Sequence, residues 1–369
     1  MAEKPYKLAV FIGRFQPFHI GHRTVLEHAT TYADSALVII GSAFRPRTPK
    51  NPLSFEERAA LITAGLPGVD LKCAFIPLID TLYDDAAWAD NVRLAVMSHL
   101  TAIGRSPEDT EIILTGFEKD KSSAYVRWFP EWAWAPAPGH MHDGKTVSAT
   151  DLRRVLYGQN SETDAELADW FGALQVQNLR DWAERHPGDV AQMAAEAAYI
   201  DNAKGRIKTA TEVYGYPFAI NTADAIILHG DHVLLVERAR IPGKGQYALP
   251  GGHIDPDETG LDAVMREVME ECRLDLSVDH MTQREIFDQP GRRARGWVRT
   301  DIFVFSLPNN EPRPPLIAGD DAAHAKWVPL RNVQPENMYE DHFDILQMLT
   351  PEFPFTYAEC LTGYMAYVP

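Results

Sequence analysis

Two groups of residues in this 369-residue chain are spaced for chemistry, one suited to a phosphate and one to a metal ion. The first lies in Gly13-Arg-Phe-Gln-Pro-Phe-His-Ile-Gly-His22. His19 and His22 stand three apart where a helix opens, beside Gly21, which has no side chain to hold a ligand away. Unpaired N–H groups of a helix N-terminus together with these side chains suit a phosphate. The second group is Glu267, Glu270 and Glu271, at i, i+3 and i+4 of a helical stretch. Three carboxylates on one helix face repel one another unless a cation sits among them, so the spacing predicts a divalent metal. Gly251, Gly252, Glu258 and Arg266 precede or join that stretch.

The first group needs a strand in front of it and a helix behind it. Leu8-Ala-Val-Phe-Ile12 is an unbroken apolar run bounded by Gly13, which predicts the first strand of a parallel sheet, buried on both faces. Pro17 to His22 is then the strand-to-helix turn, with Val25, Leu26 and Ala29 on the inner side of the helix. Further strands are expected at Ala36–Gly41, Cys73–Pro77 and Glu111–Gly116, with a helix from about Ala89 to Leu100. Their carboxyl ends carry Arg45, Arg47 and Lys50, then Lys119 and Asp120 followed by Ser122, Ser123 and Tyr125, on the side where open α/β sheets bind ligands. Ser54 and Glu57 form a capping-box pair. Val147-Ser-Ala-Thr-Asp-Leu-Arg153 reads as a helix start at which Ser148 and Thr150 are natural caps and Arg153 can fork onto two phosphate oxygens.

Helical stretches at 164–184 and 188–211 are divided at His186-Pro-Gly188, and a differently patterned region begins at Tyr214. The expected division is a first domain over 1–187, a helical linker over 188–213 and a second domain over 214–369. In the second, Gly230-Asp231 joins two apolar strands as a hairpin. Gly319-Asp320-Asp321 is a weaker acidic candidate near the metal, and Tyr339 to Phe343 begins a last helix with no assigned chemistry.

Composition narrows the class. A net charge of −17 opposes an extended nucleic-acid surface, whereas small nucleotides can be met by a few local cations or a metal. With no long apolar window and no signal-peptide pattern, neither a membrane span nor export is indicated, and a cytoplasmic location is expected. Cys73, Cys272 and Cys360 form no Cys-x-x-Cys pair, which argues against disulfides and thiolate zinc. Oligomeric state is left open, a homo-oligomer included.

The early motif resembles the His-x-Gly-His signature of the nucleotidyltransferase superfamily, and Gly13-Arg14-Phe15 onward is similar to archaeal-type nicotinamide-mononucleotide (NMN) adenylyltransferases. The run Asn51-Pro-Leu-Ser-Phe-Glu-Glu-Arg58, the Lys119-Asp120 segment and Val147 to Arg153, similar to the Ile-Ser-x-Thr-x-x-Arg signature, fit the same family. That resemblance implies histidines on ATP phosphates, Arg14 on substrate phosphate and Trp88 stacked on nicotinamide. Gly252, five residues, Glu258, seven residues, then Arg266-Glu-Val-Met-Glu-Glu-Cys-Arg-Leu274 resembles the Nudix box, with Arg273 where the pattern has Gly. It implies magnesium or manganese on the glutamates, oriented by Arg266. Phe287-Asp-Gln-Pro-Gly-Arg-Arg-Ala-Arg-Gly296 is similar to a run in ADP-ribose pyrophosphatases fused to such adenylyltransferases, which nominates Arg292 and Arg295 for ADP-ribose.

The implied fold class is α/β: an N-terminal Rossmann-like nucleotidyltransferase domain with a parallel sheet, then a C-terminal α/β/α Nudix domain with a mixed sheet. The implied activities are synthesis of NAD and pyrophosphate from ATP and NMN, with His19, His22, Arg153 and a magnesium ion stabilising phosphate charge, and cleavage of ADP-ribose to AMP and ribose 5-phosphate. Alternatives keep both folds with another dinucleotide substrate, such as NADH or a diadenosine polyphosphate, or make the second domain a non-hydrolysing ADP-ribose sensor.

Overall fold

The apolar run at the start of the chain folds as strand β1 (Tyr6–Gly13), buried from Leu8 to Ile12. The computed structural model describes residues 4–117, 126–142, 145–158, 163–317 and 322–362. Two units emerge, one of residues 1–194 with 356–369 and one of residues 195–355.

In the first unit β1 leads into α1 (Ile20–Ala29), β2 (Ala33–Ile40), α2 (Phe55–Ala64), β3 (Lys72–Pro77), α3 (Asp85–Ala102), β4 (Ile112–Gly116) and β5 (Ala133–Pro136). The five strands run parallel in the order β3-β2-β1-β4-β5. The chain therefore moves outward from β1 in one direction, then crosses back to β4 on its other side. That reversal makes the carboxyl ends of β1 and β4 the topological switch point, where such sheets bind ligands. Phe11, Phe15, Phe18, Val25, Leu26 and Phe55 pack one core against the sheet. After the short pair β6 (Met141–His142) and β7 (Lys145–Thr146), α4 (Ala149–Leu156), α5 (Asp164–Phe171) and α6 (Ala173–Arg185) build a helical core around Leu152, Phe171 and Trp182.

The expected break at His186 is present, since α7 (Pro187–Tyr214) begins there. A second break, at Gly172, interrupts what the sequence presents as one helix. Gly172 adopts φ +92 between α5 and α6, and an isolated glycine leaves the apolar spacing on either side intact. The division between units falls within α7 rather than at a linker's end.

The second unit carries β8 (Ile220–His229), β9 (His232–Arg238), β10 (Tyr247–Ala248), β11 (Gly251–His253), α8 (Gly260–Cys272), β12 (Met281–Phe287), β13 (Val298–Ser306), β14 (Ala322–Pro329) and α9 (His342–Leu349). The sheet is mixed: β8 and β13 run parallel, while β9, β11 and the edge strands pair antiparallel. Val264, Val268 and Cys272 on the inner face of α8 pack with Ala223, Ile227 and Phe303 of the sheet. The last helix, α10 (Tyr357–Thr362), which the sequence places with the second domain, belongs to the first unit. There the buried Tyr357 hydroxyl donates to the Pro77 carbonyl at the end of β3. Such a return depends on a partner 280 positions earlier, which no local pattern encodes.

Candidate active sites

At the switch point of the first unit, Gly13 ends β1 and Phe15 sits buried at φ +50. A Cβ on Gly13 would lie 2.8 Å from the Phe15 ring, so this packing requires glycine. Gln16 is buried and exchanges two hydrogen bonds with Leu53, its amide donating to the carbonyl at 2.8 Å and accepting from the N–H at 3.0 Å. His19 caps α1 and stacks on His22 with ring centroids 3.8 Å apart. Gly21 makes this possible, because a Cβ there would stand 3.1 Å from the His19 ring. The Nδ1 of His22 accepts from the His19 N–H at 3.3 Å, which assigns its proton to Nε2. Burial pushes the His22 pKa down to about 3, so at neutral pH it offers a neutral N–H donor rather than a charge.

Positive charge comes from elsewhere. Arg153, brought in by α4, donates to the Gln16 carbonyl at 2.6 Å and to Thr150 Oγ1 at 3.0 Å, joining motifs 137 positions apart. Its pKa falls to about 10, first through burial and also through Arg14. Lys50 is lowered by desolvation, then by the cations Arg14, Arg153 and Arg45, against the opposing pull of Asp80. These four cations therefore share one field. The cationic loop expected from Arg45, Arg47 and Lys50 is divided by the fold. Arg47 turns away, with a two-pronged ion pair to Glu57 at 2.7 Å and a contact to Asp189, over the Trp182 ring. Glu57, fixed by the α2 capping box, captures Arg47 before any ligand can.

Ser148 is the N-cap of α4, its hydroxyl accepting from the Thr150 N–H. Trp88, in the first turns of α3, stands edge-on to Trp128 at 5.7 Å and near Phe129. Lys119 and Asp120 lie outside the described residues. Sequence reasoning missed Asp80, which accepts from the Ser42 N–H at 3.1 Å and from Arg45 at 3.3 Å. Its one local signal is an acid closing the apolar run of β3.

In the second unit α8 is capped by Thr259 with Asp262, and Arg266 projects from its middle. Its guanidinium reaches Glu258 at 3.0 and 2.7 Å, Glu267 at 3.0 Å, Glu270 at 3.2 Å and the His253 carbonyl at 3.1 Å. Glu258 is held low, at about 2, by Arg266. Glu271 accepts from the Gly251 N–H at 3.1 Å, yet burial drives its pKa up to about 8, with Glu267 and Asp224 adding to the rise. Burial raises Glu267 as well. Gly251, at φ +154, leaves room for Ala223 and Asp224, and a Cβ on Gly252 would fall 2.1 Å from a Glu267 oxygen.

As the side chains stand, no three His, Cys, Asp or Glu groups among the described residues enclose an ion. The donor set nonetheless fits a hard divalent cation, since the crowded carboxylates of Glu258, Glu267 and Glu270 all turn to a single guanidinium, that of Arg266. Arg273 adopts the left-handed conformation that glycine would supply, at φ +52 and ψ +35, so α8 exits by the expected route without glycine. Gly319-Asp320-Asp321 lies outside the described residues.

The arginine loop needs a correction. Arg292, expected to face ADP-ribose, is turned inward, only 1% exposed, and pairs with the buried Asp341 at 2.8 and 3.1 Å. Arg293 is likewise buried against Glu340 and His342. The segment given no chemistry, Tyr339 to Phe343, thus anchors the loop. Arg295 remains the candidate: its charge is felt by His253 and Tyr339, and its buried Nε meets no hydrogen-bond partner among the described residues.

Comparison with known proteins agrees with two sites on two folds. A cytidylyltransferase-like family profile matches residues 10–71 and a NUDIX domain profile matches residues 220–349. A nicotinamide/nicotinic acid mononucleotide adenylyltransferase of Acinetobacter baylyi is 33% identical over 149 residues, 40% of this chain and 74% of that protein. An ADP-ribose pyrophosphatase of Methanocaldococcus jannaschii is 36% identical over 110 residues, 30% of this chain and 62% of that protein. The crystal structure of a bifunctional NMN adenylyltransferase/ADP ribose pyrophosphatase from Francisella tularensis superposes with a TM-score of 0.80 at 30% identity, covering 94% of this chain and 99% of that one. A second structure from that organism, complexed with AMP and a manganese ion, gives 0.77 at 29% identity.

Proposed function

Because the chain belongs to the family of bifunctional NMN adenylyltransferase/ADP-ribose pyrophosphatases, we propose that its two sites divide the chemistry as follows. The first unit transfers the adenylyl group of ATP to NMN, forming NAD and releasing pyrophosphate. No protein nucleophile is needed, since the ionised phosphate monoester of NMN attacks the α-phosphorus in line, and the protein supplies position and charge. Arg14 and Lys50 hold the mononucleotide phosphate, and Trp88 offers its indole face to the cationic nicotinamide ring. His19, His22, Arg153 and the start of α1 take the phosphate chain of ATP, with Ser148 and Thr150 shaping the α4 end of the cradle. The neutral Nε2–H of His22 is a donor that does not change charge as pyrophosphate leaves.

The second unit hydrolyses ADP-ribose to AMP and ribose 5-phosphate. Glu267, Glu270 and Glu271 would hold magnesium or manganese, which supplies charge neutralisation and an activated water when bound. Arg266 pairs with Glu258, Glu267 and Glu270 and so would orient the carboxylates for the ion. Arg295 takes a phosphate of the substrate, and Gly251 and Gly252 let it approach the backbone.

The observation that supports this reading most is the Arg153 hydrogen bond to the Gln16 carbonyl, which ties a fork-shaped cation to the same turn that ends in the stacked histidines. The test is product chromatography on purified protein. NAD formed from ATP and NMN should fall sharply in His19→Ala with ADP-ribose hydrolysis unchanged, and Glu271→Gln should abolish metal-dependent AMP release with NAD synthesis unchanged. Wild-type NAD synthesis by His19→Ala would overturn the assignment of the first site. ADP-ribose bound but never cleaved would leave the second unit a sensor.

A further inference from the structure

Arg58 is the largest side chain of the first unit that solvent does not reach, at 0% exposure, and the proposed reaction does not use it. It lies in the first turns of α2, on the face that also buries Phe55, Ala59 and Ile62. Its Nε donates to the Ser54 carbonyl at 3.0 Å, and Nη1 donates to the carbonyls of Arg14 at 2.8 Å and Gly41 at 2.6 Å. Nη2 donates to the Ser42 carbonyl at 3.2 Å. The charges that compensate it are Asp80 first, then Glu56 and Glu57.

The acceptors explain why so costly a group is buried. The last hydrogen bond holding the β1 and β2 chains together runs from the Gly41 N–H to the Gly13 carbonyl, after which the chains part. The carbonyls of Arg14, Gly41 and Ser42 sit at that fork, and Ser42 adopts φ +51 there. Buried carbonyls need donors, and an apolar side chain of equal volume would be cheaper unless those donors were required. A guanidinium reaches diverging acceptors from one rigid plane, which an ammonium cannot do. One of those acceptors belongs to Arg14, the residue read above as holding substrate phosphate.

We propose that Arg58 is a positioning residue for adenylyl transfer, clamping the peptide at the β1–β2 fork so that the Arg14 guanidinium is presented to the phosphate of the substrate. The proposal rests on the Arg14 assignment, so its test is a double-mutant cycle on the full chain using Arg14→Ala, Arg58→Lys and the pair. Misplacing a binding group by about 1 Å can cost on the order of 100-fold, so Arg58→Lys should lower kcat/KM for NAD synthesis by about 10- to 100-fold, mostly through KM. In the Arg14→Ala background the same change should cost less than about 2-fold, because the group it positions is gone. ADP-ribose hydrolysis by the same preparations reports that the second unit is intact. If Arg58→Lys does not fold, Arg58→Gln, which is neutral and keeps one donor pair, runs the same cycle. Multiplying losses in the double variant would show that Arg58 does not act through Arg14 and overturn the proposal. An Arg14→Ala enzyme with wild-type kinetics would instead overturn the Arg14 assignment.

Discussion

Gly252→Ala should separate activity from stability in the second unit. A methyl group built on Gly252 would lie 2.1 Å from Glu267 Oε1 and 2.5 Å from its carboxyl carbon. Restoring an ordinary contact of 3.4 Å requires the carboxylate to retreat by about 1.3 Å. The obstacle is the end of a flexible side chain and not backbone, and Gly252 has no positive φ, so the fold can yield cheaply. The function cannot, because Glu267 is one of three proposed ligands and is already held by Arg266 at 3.0 Å. A displacement of that size is on the scale at which misplaced groups lose about 100-fold. The expected result is a fall of roughly 100-fold in ADP-ribose hydrolysis, with a raised requirement for manganese, an unfolding midpoint within about 2 °C of wild type, and unchanged NAD synthesis. Hydrolysis at the wild-type rate and metal dependence would refute the placement of Glu267 at the reacting centre.

Arg273→Gly should relieve a left-handed residue with a side chain, worth about 1–2 kcal/mol, against an entropic loss of about 0.5–1 kcal/mol, for a net gain near 1 kcal/mol in urea unfolding of the second unit. The His22 pKa is depressed by burial, so the unfolded state binds the extra proton between about pH 6.5 and 3. Stability of the first unit should therefore fall as pH drops through that window, and His22→Asn, which keeps an acceptor for the His19 N–H, should flatten the slope seen in acid titration by circular dichroism. Magnesium or manganese should raise the melting temperature of the second unit by binding the folded state alone, and Glu271→Gln should remove most of the rise in a calorimetric scan; an undiminished rise would place the ion elsewhere.

What could be read in the sequence was what repeats locally. Leu8–Ile12 announced a strand buried on both faces, Ser54 with Glu57 announced a helix start, and the 0, 3, 4 spacing of Glu267, Glu270 and Glu271 announced one crowded face, all as found. What could not be read was which way adjacent like residues point. Arg47 and Lys50 are three positions apart in one loop, yet Glu57 and Asp189 remove the first from the site. Arg292 and Arg295 differ the same way, because Asp341, 49 positions later, claims only one of them. Arg58 sits on the apolar face of α2 by spacing, yet the acceptors it serves, the carbonyls of Arg14 and Gly41, lie 44 and 17 positions earlier. In each case a partner far along the chain, invisible to any window of neighbours, decides between ligand and scaffold.

Those choices bear on how a chain of net charge −17 binds polyphosphates twice. The first unit buries Lys50 and Arg153 beside Arg14 and Arg45, so that desolvation first, and like-charged neighbours after it, push both toward losing their protons. A phosphate bound at this site would offset that cost. The second unit does the reverse: burial first, and neighbouring carboxylates after it, drive Glu271 up to about 8 and raise Glu267, a cost that a divalent ion on these proposed ligands would offset. Such an ion would supply there the positive field that the first unit builds from side chains. Binding energy in both units thus comes from charges that folding has already brought together. A neutralising substitution such as Lys50→Met should accordingly weaken substrate binding in the first unit while stabilising its ligand-free fold. A variant that lost both affinity and stability would show that these cations were never in conflict.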